Sequence, residues 1–298
     1  MKSDFDGQDW IIQTDQSALV YHQDIENPDE LIGINIPLFT RAYTPKSGDV
    51  VIDVGAGVGT DIHAFSKLVG DSGKVYAIEA DPNCFRRLQK LVKFLELKNV
   101  ICINVAVSNS NGTGWITQDR EDGLGNYISR ARVPGVVGVK FQKFSELLEQ
   151  LKLDHVDYLK MNIEGAELSA LEGLDDKINM IENLCVSCHD FLPDPQMHTY
   201  AQVSLNLLAN QYHVTKHPTN LNSPWESWYL YASKSIFVDV KNSWEVTVER
   251  DSALAERDSA LAERDSALAE RDSALAERDR IVQSNIWKFT ALYRRFRS

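Results

Sequence analysis

The residues best suited to chemistry in this 298-residue chain lie at the ends of apolar runs. The first group is Val51-Ile52-Asp53-Val54-Gly55-Ala56-Gly57-Val58-Gly59-Thr60, a β-rich run that ends in three alternate glycines and leads into helical spacing. Glycines let a backbone turn tightly and approach a ligand closely. Twenty-four residues past Gly55, at the end of the next β-rich run, stands Glu79. A carboxylate there can hold both hydroxyls of a ribose, so loop and acid together describe a site for an adenosine-type cofactor. The dinucleotide fingerprint G-x-G-x-x-G fits less well, because the third glycine falls one position early and Thr60 replaces the last one. Asn162 and Glu164 close a later run, and Cys188-His189-Asp190 another. His189 is the acid–base candidate, since its intrinsic pKa lies near working pH. Its plainer reading is a hydrogen-bonded histidine closing a strand. For Asn162, Glu164 and Glu167 the plainer reading is a helix entry, which favours carboxylates through the helix dipole. Cys185 to His189 spells C-x-x-C-H, a haem-attachment string. Its apolar context favours buried thiols instead. Cys84 and Cys102 supply no second C-x-x-C, so no metal site is expected.

The elements that must position these residues are legible as alternating patterns. Strands are predicted at 49–54, 74–79, 100–105, 156–161 and 182–188, with helices over 60–69 and 82–97 and before each later strand. Such alternation predicts a parallel sheet covered on both faces. Segments 112–117 and 137–141 read as an inserted β excursion, and 1–45 as a polar lead-in with one helix near 31–43. With 43% hydrophobic residues, no apolar run near the roughly 18 residues of a membrane span and an acidic N-terminus, the sequence predicts a cytoplasmic globule. The net charge is −12, and residues 1–248 carry all of it, because −5 over 249–279 cancels +5 over 280–298. Such a body repels phosphates, which excludes non-specific nucleic-acid binding.

The pattern D-x-G-x-G-x-G at 53–59 is similar to that of S-adenosylmethionine-dependent methyltransferases. Together with Tyr158-Leu159-Lys160-Met161-Asn162-Ile163-Glu164-Gly165-Ala166-Glu167, it resembles the FkbM-type methyltransferases over roughly residues 46–235. Shorter echoes are Asn104 to Ser108, Cys188 to Phe191, and Trp225 to Tyr231. The resemblance implies an α/β fold, a Rossmann-like seven-stranded class I methyltransferase sheet whose last strand is antiparallel. It implies S-adenosylmethionine as cofactor and O-methylation of a hydroxyl on a sugar, glycan or small metabolite. Carried onto this sequence, it places Asp53, Gly55, Gly57 and Gly59 along the methionine end, Glu79 at the ribose, and Asn104, Val105 and Ala106 near the adenine. Ala56, Thr60 and Ala80 join them as cofactor-binding residues. Asn162 and Glu164 would face the methyl group. Two positions depart from the family: Asn162 where aspartate is commoner, and Lys143-Phe144-Ser145 where many members carry T-L-D. Methyl transfer needs alignment above all, and a hydroxyl nucleophile is helped by a general base. The catalytic set is therefore His189 as base, with Glu164 and Asn162 beside it.

Beyond the predicted domain (46–240), the heptad ERDSALA repeats four times from Glu249, and a fifth copy begins at Glu277. It lacks glycine and proline, so 241–280 predicts a long C-terminal helix. One leucine per heptad makes a poor coiled-coil seam, leaving a weak homo-oligomer or a solvated spacer. Residues 281–298 form a basic amphipathic tail, suited to peripheral contact with the inner face of a membrane or to an assembly partner. The tail resembles the endings of bacterial polysaccharide-assembly enzymes. Two other readings stay open from sequence: a non-catalytic scaffold, kept alive by Asn162 and Ser145, and an adenosine-dinucleotide oxidoreductase.

Overall fold

The computed structural model describes residues 2–235, apart from 16, 26–27, 118–125, 130–131, 133, 192–196 and 220–222. The ERDSALA repeat and the basic tail lie outside the described residues.

The N-terminal region departs from the expected lead-in. It forms a three-stranded antiparallel sheet of β1 (Lys2–Phe5), β2 (Trp10–Gln13) and β3 (Ala18–Tyr21), followed by a four-residue helix α1 (Ile36–Phe39). The helix expected over 31–43 is short because Gly33 adopts a left-handed φ of +65° and Pro37 sits in the first turn. The small sheet is fastened to the main domain through Asp9, which is fully buried. Its carboxylate meets the guanidinium of Arg86, Arg87 Nε at 2.9 Å and Lys90 Nζ at 2.7 Å.

The main domain then runs β4 (Val50–Val54), α2 (Ile62–Val69), β5 (Lys74–Glu79), α3 (Pro82–Phe94), β6 (Val100–Asn104), β7 (Ala106–Ser108), β8 (Gly112–Thr117), β9 (Ile128–Ser129) and β10 (Val136–Lys143). It continues with α4 (Phe144–Gln150), β11 (Val156–Met161), α5 (Glu167–Glu172), β12 (Ile181–Ser187), α6 (Tyr200–Ala209), β13 (His213–Lys216) and β14 (Tyr229–Ser233). Seven strands make one sheet in the order β13-β14-β12-β11-β4-β5-β6. Strand β14 is antiparallel to both neighbours, and β12, β11, β4, β5 and β6 are mutually parallel. This is the Rossmann-like sheet with an antiparallel last strand that the family resemblance implies. Both faces are buried: Ile52, Val54, Leu159 and Met161 pack into one core, Val51, Val75, Ala77 and Tyr158 into another. Burial on both faces is why these strands read as unbroken apolar runs.

Helix α3 begins where Asp81 Oδ1 accepts from the backbone N–H of Asn83 (2.7 Å) and Cys84 (3.3 Å), with Pro82 in its first turn. The excursion forms a second sheet, β7-β10-β8-β9, with β10 parallel to β7 and antiparallel to β8. From β4 the chain winds outward through β5 to β6, then returns to build β11 and β12 on the other side. The β4–β11 junction is therefore the topological switch point, and open α/β sheets bind ligands at the carboxyl ends of the strands there.

Candidate active site

A cleft of about 1130 Å³, counting its open mouth, lies at that junction. Its floor is the glycine loop. Gly55 has φ +77°, and a Cβ there would lie 2.0 Å from the backbone oxygen of Asn162. Gly59 has φ +94°, and a Cβ there would press to 2.9 Å on Leu88 and Leu91. These two glycines are demanded by the protein's own packing. Gly57 differs: at φ +56° a Cβ would meet nothing within 4 Å, so its bare backbone faces open space in the cleft.

Gly57 N–H donates to Glu79 Oε2 at 2.7 Å, and Asp81 N–H donates to Glu79 Oε1 at 2.8 Å. Burial pushes the Glu79 carboxyl up to about 7, against the pull of these two hydrogen bonds. Ala80, Val105 and Ala106 continue from Glu79 as an apolar wall.

Of the expected cofactor residues, Gly55, Ala56, Gly57, Thr60, Glu79, Ala80, Val105 and Ala106 line the cleft. Asp53, Gly59 and Asn104 stand behind it. Asn104 Nδ2 donates to the backbone oxygens of Glu79 (2.8 Å) and Ala80 (3.1 Å), so it fixes the end of β5. Asp53 lies opposite Lys160 in the β4–β11 register, and the two form a buried ion pair at 2.8 Å. Lys160 also donates to Gly55 O at 2.9 Å, which ties the pair to the loop. Burial raises the Asp53 carboxyl, and the ammonium opposes it.

Sequence reasoning missed several residues of the cleft. Lys160 stands inside the quoted Tyr158–Glu167 motif, but only the β4–β11 register shows that it faces Asp53. Asp61, two residues past Gly59, is 7% exposed and lines the cleft. Burial lifts its carboxyl to about 6, with Lys160 opposing and Asp53 adding. Tyr21, Leu31 and Asn35 reach the cleft from the N-terminal region, whose small sheet the sequence did not announce.

At the far side β11 ends in a tight turn, with Glu164 at φ +50° and Gly165 at φ +90°. Asn162 and Glu164 both line the cleft, and the Asn162 Oδ1 atom is buried with no hydrogen-bond partner among the described residues. His189 stands behind them, 4% exposed. Its Nε2 lies 3.2 Å from Glu164 Oε1 and its Nδ1 lies 3.1 Å from Glu167 Oε1. Glu167 is fully buried and also accepts from Gly165 N–H (3.1 Å) and Thr199 Oγ1 (2.8 Å). Burial disfavours the imidazolium, but the two carboxylates outweigh it and lift His189 to about 9. At neutral pH, then, both ring nitrogens are donors.

Asp190 does not join this group; its Oδ1 accepts from the backbone N–H of Thr199 (2.8 Å) and Tyr200 (2.9 Å) at the start of α6. Ser145 donates to Asp175 at 2.9 Å. Cys185 and Cys188 are buried, and burial pushes the Cys185 thiol up to about 12. Among the described residues no group of three or more His, Cys, Asp or Glu could hold a metal, and no helix is long and apolar enough to cross a membrane.

A family described as "Methyltransferase FkbM domain" matches residues 53–213, more than half of the chain. The protein-L-isoaspartate O-methyltransferase of Fervidobacterium nodosum is 38% identical over 126 residues, 42% of this chain and 56% of that protein. The hexuronic acid methyltransferase AglP of Haloferax volcanii is 26% identical over 144 residues, 48% of this chain and 57% of that protein. The matches thus span little more than half of each curated relative. Among solved structures, a methyltransferase FkbM from Methylobacillus flagellatus has 16% identity and a TM-score of 0.42, covering 63% of this chain and 43% of its own. A SAM-dependent methyltransferase from Aquifex aeolicus has 18% identity and a TM-score of 0.41, covering 70% and 92%.

Proposed function

The chain belongs to the FkbM methyltransferase family, and on that premise we propose that it uses S-adenosylmethionine to methylate a hydroxyl of a sugar, glycan or small metabolite. One observation carries this reading. The carboxylate of Glu79 and the bare backbone of Gly57 line one side of a cleft whose other side holds Glu164 and Asn162. The residues present fit the cofactor: Glu79 for the ribose hydroxyls, the open face of Gly57 for close approach, and Ala80, Val105 and Ala106 for an apolar ring.

When bound, the cofactor supplies an electrophilic methyl group on a sulfonium. The chain's part is to align the acceptor and take its proton. Glu164 is the carboxylate that lines the cleft at the end of β11, across from Glu79, so it receives the proton that the acceptor hydroxyl loses. His189 changes role from the sequence expectation: a protonated imidazole has no lone pair to accept a proton. Gripped by Glu167, it fixes Glu164 by donating from Nε2, and it acts as a positioning residue. The orphan Asn162 Oδ1 offers an acceptor for a second substrate hydroxyl, a task that does not need the aspartate of other family members.

The likeness to AglP, a hexuronic acid methyltransferase, supports a sugar acceptor. The resemblance of the tail to polysaccharide-assembly enzymes supports a role in surface-polysaccharide biosynthesis at the cytoplasmic side of a membrane. In that role the tail makes peripheral contact and the repeat acts as a spacer or weak oligomer.

The test is to incubate the full chain with S-adenosylmethionine and a panel of neutral and uronic-acid glycans, and to seek one added methyl group by mass spectrometry. Glu164→Gln should retain cofactor affinity and lose on the order of 10²-fold or more in turnover. Transfer to no hydroxyl acceptor would defeat the acceptor class, and wild-type turnover in Glu164→Gln would defeat the proposed base.

A further inference from the structure

Asp61 opens helix α2, yet its side chain makes no hydrogen bond to the helix N–H groups. Its Oδ1 has no hydrogen-bond partner among the described residues, although the side chain is more than nine-tenths buried and lines the cleft. Its Oδ2 accepts, among the described residues, from Thr60 Oγ1 at 3.5 Å. A carboxylate so placed is costly unless something polar or cationic meets it.

The surrounding charges do not meet that need. Asp53 and Lys160 offset each other as an ion pair, and Lys160 spends a further proton on Gly55 O. With Asp61 ionised, the three groups sum to one negative charge. Burial and the nearby Asp53 both disfavour that ionised state, which is why the carboxyl sits at about 6. A metal ion is a poor answer, because no group of three or more such ligands exists among the described residues.

Topology says what does answer it. Glu79 ends β5 on one side of β4, and Lys160, paired with Asp53, sits on β11 on the other. A ligand whose ribose rests on Glu79 and whose tail follows the glycine loop arrives on the β4–β11 side, where Asp61 waits. We propose that Asp61 receives the α-ammonium of the cofactor's amino-acid tail, at the methionine end where the family resemblance places Asp53. An ammonium supplies the missing positive charge and three hydrogen-bond donors at once. This inference rests on the S-adenosylmethionine reading above.

Calorimetric titration of the full chain with two ligands tests it. S-adenosylhomocysteine carries the amino-acid tail. 5′-Methylthioadenosine has the same adenosine and thioether but no tail. In Asp61→Asn and Asp61→Ala the affinity for S-adenosylhomocysteine should fall on the order of tenfold or more, as befits a charge-assisted hydrogen bond. Affinity for 5′-methylthioadenosine should stay within about twofold, which also reports that the variants are folded. A deaminated analogue of S-adenosylhomocysteine, titrated against the wild-type chain, should show the same loss without any substitution. Equal weakening of both ligands, or unchanged binding of S-adenosylhomocysteine, would overturn the role of Asp61 while leaving the cofactor reading intact. Failure of the wild-type chain to bind either ligand would overturn both.

Discussion

The unit formed by Glu167, His189 and Glu164 makes a prediction that separates a positioning histidine from a basic one. With His189 lifted to about 9, turnover should fall as pH rises through that value and the imidazolium is lost. A histidine base with the same pKa would instead make turnover rise toward it, so a profile of kcat against pH decides. The stability sign agrees: the folded pKa exceeds the unfolded value of about 6.5. The contribution of His189 is therefore complete below about 6.5 and lost as pH rises through about 9. Denaturant melts of wild type between those pH values should show a decline that is smaller in His189→Gln. The glycine loop gives a second contrast. Gly55→Ala combines a left-handed φ with a Cβ 2.0 Å from a backbone oxygen. It should cost clearly more than the roughly 1–2 kcal/mol of the backbone conformation alone. Gly57→Ala should cost the folded chain only about that backbone penalty and instead weaken cofactor binding, because its Cβ would point into open space. The glycines and Glu79 were legible in the sequence because strand, turn and acid are local. The charge of His189 was not, since it depends on two carboxylates brought from the β11–α5 turn, more than twenty residues away.

Among the elements, the five parallel strands announced themselves because burial on both faces leaves unbroken apolar runs, whereas β13, His213–Lys216, is mostly exposed and has no such run. The N-terminal sheet did not announce itself either. Its strands are four residues long and the first is wholly exposed. What seats it is an acid, Asp9, meeting Arg86, Arg87 and Lys90 of α3, a pairing across more than seventy residues that composition cannot reveal. Asp9→Asn would leave three cations clustered around a lost charge. A cost of about 2–3 kcal/mol in denaturant melts is expected, below the full figure for a buried pair because Arg86 and Lys90 reach solvent. The three cations hold the Asp9 carboxyl well below the usual range in spite of its burial. Its contribution is thus present above the unfolded pKa of about 3.9 and fades as pH falls below it. Because Tyr21, Leu31 and Asn35 reach the cleft from this region, the same variant should also weaken cofactor binding.

For the whole molecule, the cleft-lining residues lie within 21–166, ahead of the repeat and tail in the sequence. Deleting 241–298 should therefore leave affinity for S-adenosylhomocysteine within about twofold, while recovery of the protein in membrane fractions should drop if the tail anchors it. The composition of these segments was plain in the sequence, yet a heptad with one leucine left their association undecided. The central claim, that the cleft is an S-adenosylmethionine site, is tested most directly by calorimetric titration of the full chain with S-adenosylhomocysteine, with NAD and Glu79→Ala as controls. Micromolar binding of S-adenosylhomocysteine, much weaker binding of NAD, and a loss on the order of tenfold or more in Glu79→Ala are expected. A folded chain that ignores S-adenosylhomocysteine, or binds it equally well without the Glu79 carboxylate, would contradict that claim.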